Sequence, residues 1–183
     1  MEQEVITQCK QGNLDEFGKL YDEYVKKIYQ FIYFKTHNRE TAEDLTSHTF
    51  MKALENISSF NEKKASFKTW LYKIARNTII DHYRTDRPTS DIDDAWGVSD
   101  KVDIERDTDM QMKVEAVQKY MEKLKPEQRE LILLRVWGGN SFSEIAEITG
   151  KSEASCKMMF KRVMEKLRDD FAPLMILLLL IKY

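Results

Sequence analysis

Apolar residues recur along this chain at steps of three and four and seldom at steps of two, so the pattern predicts helices almost throughout. The first stripe joins Leu14, Phe17, Leu20, Tyr21, Tyr24, Ile28, Phe31 and Ile32 in a helix over residues 14–35. A second helix starts near Thr41, placed as an N-cap with Asp44 three residues on. It offers Ala42, Leu45, Phe50, Ala53, Leu54 and Ile57 to a core. A third, over 67–83, sets Phe67, Trp70, Leu71, Ile74, Ala75, Ile79 and Ile80 along one side, and the polar stretch SSFNEKKAS at 58–66 is the loop before it.

The habit breaks after residue 87. Pro88, Gly97 and eight acids with few apolar anchors make residues 88–111 a linker without a core of its own. Helical periodicity returns over 112–124 and continues from Pro126, a first-turn proline, to Trp137. Gly138-Gly139-Asn140 ends that helix with residues that tolerate positive φ. Two shorter helices follow, over 143–149 and 152–168. The expected fold is therefore all-α: two small helical domains, 1–87 and 112–170, joined by an acidic linker. Residues 171–183 form an apolar tail whose eight consecutive apolar residues, 174–181, fall well short of the roughly 20 that span a bilayer. Packing against a domain groove, a weak contact with a membrane or a regulatory protein, and a poorly ordered tail are all open to it.

Composition narrows the function. Apolar residues at 42% and charged residues at 33% suit a folded, soluble chain, and six glycines and three prolines are too few for an all-β one. Cys9 and Cys156 form no CxxC pair, and His37, His48 and His82 have no metal-ligand spacing, so neither a disulfide framework nor a metal site is expected. A reducing cytoplasm is the natural compartment, and the polar MEQEVITQCKQGN start lacks the apolar stretch of a signal peptide. No converging nucleophiles, bases or ligands suggest an enzyme or a cofactor. The net charge of −2 hides blocks. Residues 61–87 hold seven basic and three acidic residues, 88–110 hold two and eight, and 151–168 hold six and two. Two basic patches flanking an acidic connector match the footprint of a nucleic-acid binder.

Residues 142–168 carry a helix-turn-helix pattern. Ile145, Ala146 and Ile148 make the first helix apolar on one side, and Ala146 is small where a second helix must cross. Gly150 takes the turn, Ser152 caps the second helix, and Cys156 and Phe160 face inward. The outward face then offers Ser152, Glu153, Ser155, Lys157, Lys161 and Arg162: early side chains for base edges in the major groove, later cations for phosphates. Residues 60–87 differ. Lys63, Lys64, Lys68, Lys73, Arg76, Arg84 and Arg87 are interleaved with Phe60, Phe67, Trp70, Tyr72 and Tyr83, a mixture suited to unpaired bases on a melted strand. Phe67 and Trp70 are read as mainly structural, with Tyr72, Tyr83 and the loop residues exposed.

Four strings in order, FGKLYDEYVKKIYQFI (17–32), AEDLTSHTFMKALENISSF (42–60), SFKTWLYKIARNTIIDHYR (66–84) and LKPEQRELILLRVWGGNSFSEIAEITGKS (124–152), resemble the bacterial extracytoplasmic-function sigma factors. The resemblance implies a non-catalytic initiation factor that directs core RNA polymerase to promoter DNA, touching the β′ clamp helices and the β flap. It implies that Glu43, Asp44, Thr49 and Lys52 dock on the polymerase. It also implies that Phe60, Asn61 and Asn77 line a pocket for a flipped −10 base, with Lys63, Lys64, Arg76, Asp81, His82 and Arg84 along the same DNA. The helix-turn-helix would read the −35 element, and the linker would thread the cleft that RNA later occupies. An anti-sigma factor is the implied regulator and the sole, indirect link to a membrane; no small-molecule substrate is implied. Cys156 stands where the family commonly has Val, Lys157-Met158-Met159-Phe160 replaces a Lys-Ser-Arg-Leu type of sequence, and Lys151 replaces an apolar residue, so the recognition face is atypical. The competing reading is a helix-turn-helix regulator that works without polymerase, residues 1–87 being its sensor or dimerisation module.

Overall fold

A computed structural model describes residues 2–86, Met121 and residues 123–170. The acidic linker, the apolar tail and most of the helix expected over 112–124 lie outside them. Among the described residues the regular structure is helical: α1 (Glu2–Lys10), a 3₁₀ turn at Leu14–Glu16, α2 (Phe17–Thr36), α3 (Arg39–Asn56), a 3₁₀ turn at Ile57–Ser59 and α4 (Phe67–Asp86), then α5 (Pro126–Ile132), α6 (Phe142–Thr149) and α7 (Glu153–Asp170).

Helices α1 to α4 form one group around a shared core. Leu20, Ile28, Ile32, Ala42, Ala53, Phe67, Leu71 and Ala75 are all buried, and the alanines let α3 and α4 approach closely. Phe67 sits at the centre of an aromatic cluster, with ring centroids 5.7 Å from Tyr24, 5.8 Å from Phe60 and 5.7 Å from Trp70. Helix α1 was not expected. It buries Val5, Ile6 and Cys9, whose one- and three-residue steps are an apolar stripe too short to stand out beside polar neighbours.

The start of α3 corrects the reading of Thr41 as its cap. Asn38 is the N-cap: its side-chain Oδ1 accepts from the Thr41 N–H at 2.8 Å, and its extended backbone (φ −132°, ψ 127°) turns the chain into the helix. Asn38→Ala is expected to cost about 1 kcal/mol, and Thr41→Ala less than about 0.5 kcal/mol. Thermal unfolding of the two variants would tell them apart; equal losses would return the cap to Thr41.

Helices α5 to α7 form the second group. Leu124, Leu131, Leu133, Leu134, Ile145, Ile148, Cys156, Val163 and Leu167 are buried there. After α5 the backbone widens into a π-helical turn over Leu133–Trp137, closed by the Gly138 N–H donating to the Leu133 carbonyl at 3.0 Å. Helix α6 starts in a reciprocal cap. The Ser141 hydroxyl accepts from the Glu144 N–H at 3.2 Å and Glu144 Oε2 accepts from the Ser141 N–H at 2.7 Å.

Candidate nucleic-acid interface

The turn between α6 and α7 is built as the spacing predicts. Gly150 takes the left-handed conformation (φ 73°), donates its N–H to the Ala146 carbonyl, and sends the chain into α7. Ser152 Oγ accepts from the Ser155 N–H at 3.2 Å. Cys156 is buried against α6, and Phe160 meets Phe142 at 5.5 Å. With one side of α7 so anchored, Ser152, Glu153, Ser155, Lys157, Lys161 and Arg162 are all exposed. Lys157 is 2.6 Å from Glu153 and Lys161 3.8 Å from Glu165, both one helical turn away, so neither cation is committed to the core. Lys151 reaches Glu127 of α5 at 2.8 Å, which explains a lysine in a place where an apolar residue would pack.

Helix α4 presents three faces, as a long helix wedged between two groups must. Phe67, Leu71, Ala75 and Thr78 turn to the first core. Lys68, Thr69, Tyr72 and Arg76 turn toward the second group. Lys73, Asn77 and Arg84 are exposed, as are Asn61, Lys63 and Lys64 in the preceding loop. In that loop Asn61 Oδ1 accepts from the Lys63 N–H at 3.0 Å, and its carbonyl accepts from the Lys64 N–H at 2.9 Å, so a side-chain-closed turn holds both lysines outward. Asp81 bridges Lys52 at 3.7 Å and Arg84 at 3.4 Å. His82 packs beside Tyr83, 5.2 Å between centroids.

Several expected positions are corrected. Phe60 is 3% exposed, wedged 4.9 Å from the Trp70 ring, so it is a floor of the aromatic cluster rather than a free stacking surface. Tyr72 is buried, in edge contact with Phe31 at 5.3 Å; burial raises its phenol above the ordinary range. Tyr83 is half-buried and its hydroxyl donates to the Lys35 carbonyl at 3.3 Å. Thr49 is fully buried and its hydroxyl donates to the Leu45 carbonyl at 2.7 Å, which leaves it no reach to a partner. Glu43, Asp44 and Lys52, by contrast, stand exposed on α3. A cleft of about 400 Å³ opens between α1 and the 57–66 loop, lined by Glu2, Gln3, Ile6, Phe60, Glu62, Ala65, Ser66 and Phe67. Phe60 reaches it, but Asn61 and Asn77 are not among its lining residues.

A charged cluster that the sequence did not announce joins the two groups. Glu130 of α5 lies 3.3 Å from Arg76 of α4 and accepts a close hydrogen bond from Lys35 of α2. Burial opposes the Glu130 charge, but Lys35 and then Arg76 outweigh it and hold the carboxyl below the usual carboxylate range. Burial likewise pulls the Lys35 ammonium below the ordinary lysine range despite Glu130 beside it. A second contact sets Lys68 of α4 3.3 Å from Glu144 of α6. Here too burial works against the charge, and the Ser141 amide and hydroxyl, followed by Lys68, lower the carboxyl. Among the described residues no His, Cys, Asp and Glu cluster could hold a metal ion, and no helix is long and apolar enough to cross a membrane.

Comparison with known proteins places this geometry. The sigma-70 region 2 family matches residues 20–89, and the sigma-70 region 4 family matches residues 114–167. The ECF RNA polymerase sigma factor BldN of Streptomyces coelicolor is 33% identical over 90% of this chain, which spans 63% of that longer relative. The ECF RNA polymerase sigma factor SigW of Bacillus subtilis is 32% identical, with 92% of this chain and 96% of the relative covered. Among solved structures, CnrH in complex with the cytosolic domain of CnrY is 22% identical with a TM-score of 0.67, covering 90% of this chain and 93% of that one. The sigma factor RpoE in complex with the anti-sigma factor NepR, from Bartonella quintana, gives 24% and 0.67, covering 84% and 95%. These two share the fold.

Proposed function

The chain belongs to the sigma-70 family, in its extracytoplasmic-function group, and from that premise we propose that it binds core RNA polymerase and directs promoter-specific initiation. What supports this reading above all is the succession, in one chain, of a region 2 match and a region 4 match on two helical groups. The division of labour follows the faces described above. Residues 1–87 dock on the polymerase through the exposed Glu43, Asp44 and Lys52 and capture the −10 strand along Lys63, Lys64, Asn77 and Arg84. Residues 112–170 read the −35 duplex through the free face of α7. The cleft that Phe60 reaches is of a size to seat one extruded base. Chemistry stays with the polymerase, and this chain contributes recognition and strand capture without catalysis or a cofactor of its own. It works in the cytoplasm, and an anti-sigma factor is the regulator we infer, by analogy with NepR, the anti-sigma factor named with the solved sigma factor RpoE.

Reconstituted transcription with core polymerase and a promoter library tests the reading. Core-dependent initiation from a defined promoter set is expected; duplex binding and regulation without any dependence on core would overturn it in favour of a self-sufficient helix-turn-helix regulator. Within that assay, replacing Lys157 and Arg162 together with alanine removes two phosphate contacts. The slope of log affinity against log salt on −35 duplex should fall by about 2, with affinity weakened alike across sequences. An unchanged slope would take both cations off the DNA. Asn77→Ala serves for the −10 side, because its exposed side chain can be removed without opening the core as Phe60→Ala would.

A further inference from the structure

The 57–66 loop is held by more than its own turn. Helix α1, which lies ahead of the residues 20–89 matched by the region 2 family, reaches it from the side. Gln3, Ile6 and Lys10 recur at steps of three and four, so they share one face of α1. From that face the Gln3 side-chain amide donates to Glu62 Oε2 at 3.0 Å, and Lys10 Nζ stands 3.6 Å from Glu62 Oε1. Ile6, between them along the helix, is buried and lines the cleft with Phe60 and Phe67. Helix α1 is itself well seated: Val5 and Cys9 are buried, and Glu2 accepts a close hydrogen bond from the Tyr24 hydroxyl of α2. Glu62 is the sole acid of residues 61–66 and precedes Lys63 and Lys64 directly. A carboxylate left loose there would repel the phosphates that the two lysines attract.

We propose that α1 is a positioning element for strand capture, with Gln3 and Lys10 as the residues that hold the 57–66 loop through Glu62. Glu62 gives both carboxylate oxygens to α1, while the Asn61 turn holds Lys63 and Lys64 exposed as the loop's remaining charges. The Gln3–Glu62 bond also joins the two walls of the cleft and so fixes its width. Gln3 and Lys10 touch no DNA in this arrangement; they act through the loop. The inference rests on the proposed function for what the loop captures, but the clamp is a property of this chain alone. A partly exposed ion pair contributes little to global stability, so its loss should free the loop without unfolding the α1–α4 group.

The test uses the full chain with Glu62→Ala, Lys10→Met, the two combined, Lys10→Arg and, as a charge control, Lys26→Met at an exposed position of α2. Hydrogen exchange at the Lys63 and Lys64 amides, which donate into the Asn61 turn, reads the loop. Titration with a mixed-sequence single strand of roughly 20 nucleotides reads strand capture. A −35 duplex reads the second group, and circular dichroism reads helix content. Glu62→Ala decides by sign. Removing an acid beside two lysines would tighten strand binding if charge alone mattered. Loss of the clamp should instead weaken it by about three- to fivefold, with faster exchange in the loop. Lys10→Met should weaken strand binding at least as much, and the double variant should fall no lower, because both changes break one contact. Lys10→Arg keeps the pair and should bind as the parent chain does, and Lys26→Met should lose less than about twofold. Helix content and −35 duplex binding should stay constant throughout. Tighter strand binding by Glu62→Ala, unchanged exchange in the loop, or a parallel loss on the −35 duplex would overturn the proposal. A parent chain whose variants follow the expected order on the strand, but which gives no core-dependent initiation, would refute the sigma reading and leave the clamp standing.

Discussion

Phe67→Ala is expected to lower the unfolding free energy of the α1–α4 group by about 3–5 kcal/mol, as for a large aromatic removed from a packed core. Phe67 is 1% exposed and touches Tyr24, Phe60 and Trp70, which reach it from α2, from the end of the 57–60 turn and from α4 itself. Its side chain also walls the cleft beside the 57–66 loop. The loss is a large share of the 5–15 kcal/mol typical of a domain, so the melting transition should fall by well over ten degrees. Strand capture should fail with it, because the loop bearing Lys63 and Lys64 loses its seat. Thermal unfolding followed by circular dichroism measures this directly. A loss below about 1 kcal/mol would mean that the aromatic cluster is not the anchor of that loop.

Gly138→Ala carries the second large effect, and its cause is space rather than backbone freedom. Gly138 has φ −76°, open to any residue. A Cβ there would lie 2.5 Å from Asn140 Nδ2, 2.8 Å from the Leu134 carbonyl oxygen and 3.0 Å from the Tyr72 hydroxyl. The Leu134 carbonyl already accepts from both the Asn140 side chain at 2.9 Å and the Asn140 N–H at 3.0 Å, so it cannot retreat without breaking the end of the π-helical turn. Tyr72 belongs to the first group, so the same methyl also pushes on the interface between the groups. A destabilisation of about 1–3 kcal/mol is expected, of the kind produced by overpacking. Gly139→Ala, at φ 60° with open space around its Cβ, should cost about 1–2 kcal/mol through backbone strain alone and leave the contact between the groups intact. Denaturant unfolding and scattering on the two variants separate the causes; equal stability and equal compactness in both would remove the steric role of Gly138.

These two glycines show where sequence reading stops. The GGN stretch was readable as a helix end, and Gly139 does take positive φ. Gly138 and Asn140 do not, and their reasons lie in atoms from Leu134 and Tyr72 that no local spacing reveals. The candidate site divides in the same way. All six positions expected to face the −35 DNA are exposed, Ser152 just before α7 and the other five on it, because the i, i+4 pattern that buries Cys156 and half-buries Phe160 also fixes which side remains free. On the −10 side, Asn61, Lys63, Lys64, Asn77 and Arg84 are exposed as read. Phe60 and Tyr72 are not, since an aromatic among cations reads the same whether it faces solvent or a core.

By itself the sequence determined the helical class, the succession of the two groups, the glycine-turned helix-turn-helix and the family to which they belong. Those features are written in local periodicity, in turn chemistry and in motif order, all of which act over a few residues. Only the tertiary structure decided that α1 completes the first core, that Asn38 rather than Thr41 caps α3, and that Thr49 is sealed from any partner. It alone brought Lys35 and Arg76 onto Glu130, residues up to 95 positions apart whose pairing depends on how two separately legible groups meet. A charge's neighbours along the chain say little about its neighbours in space, and at this interface the latter tie Arg76 to Glu130.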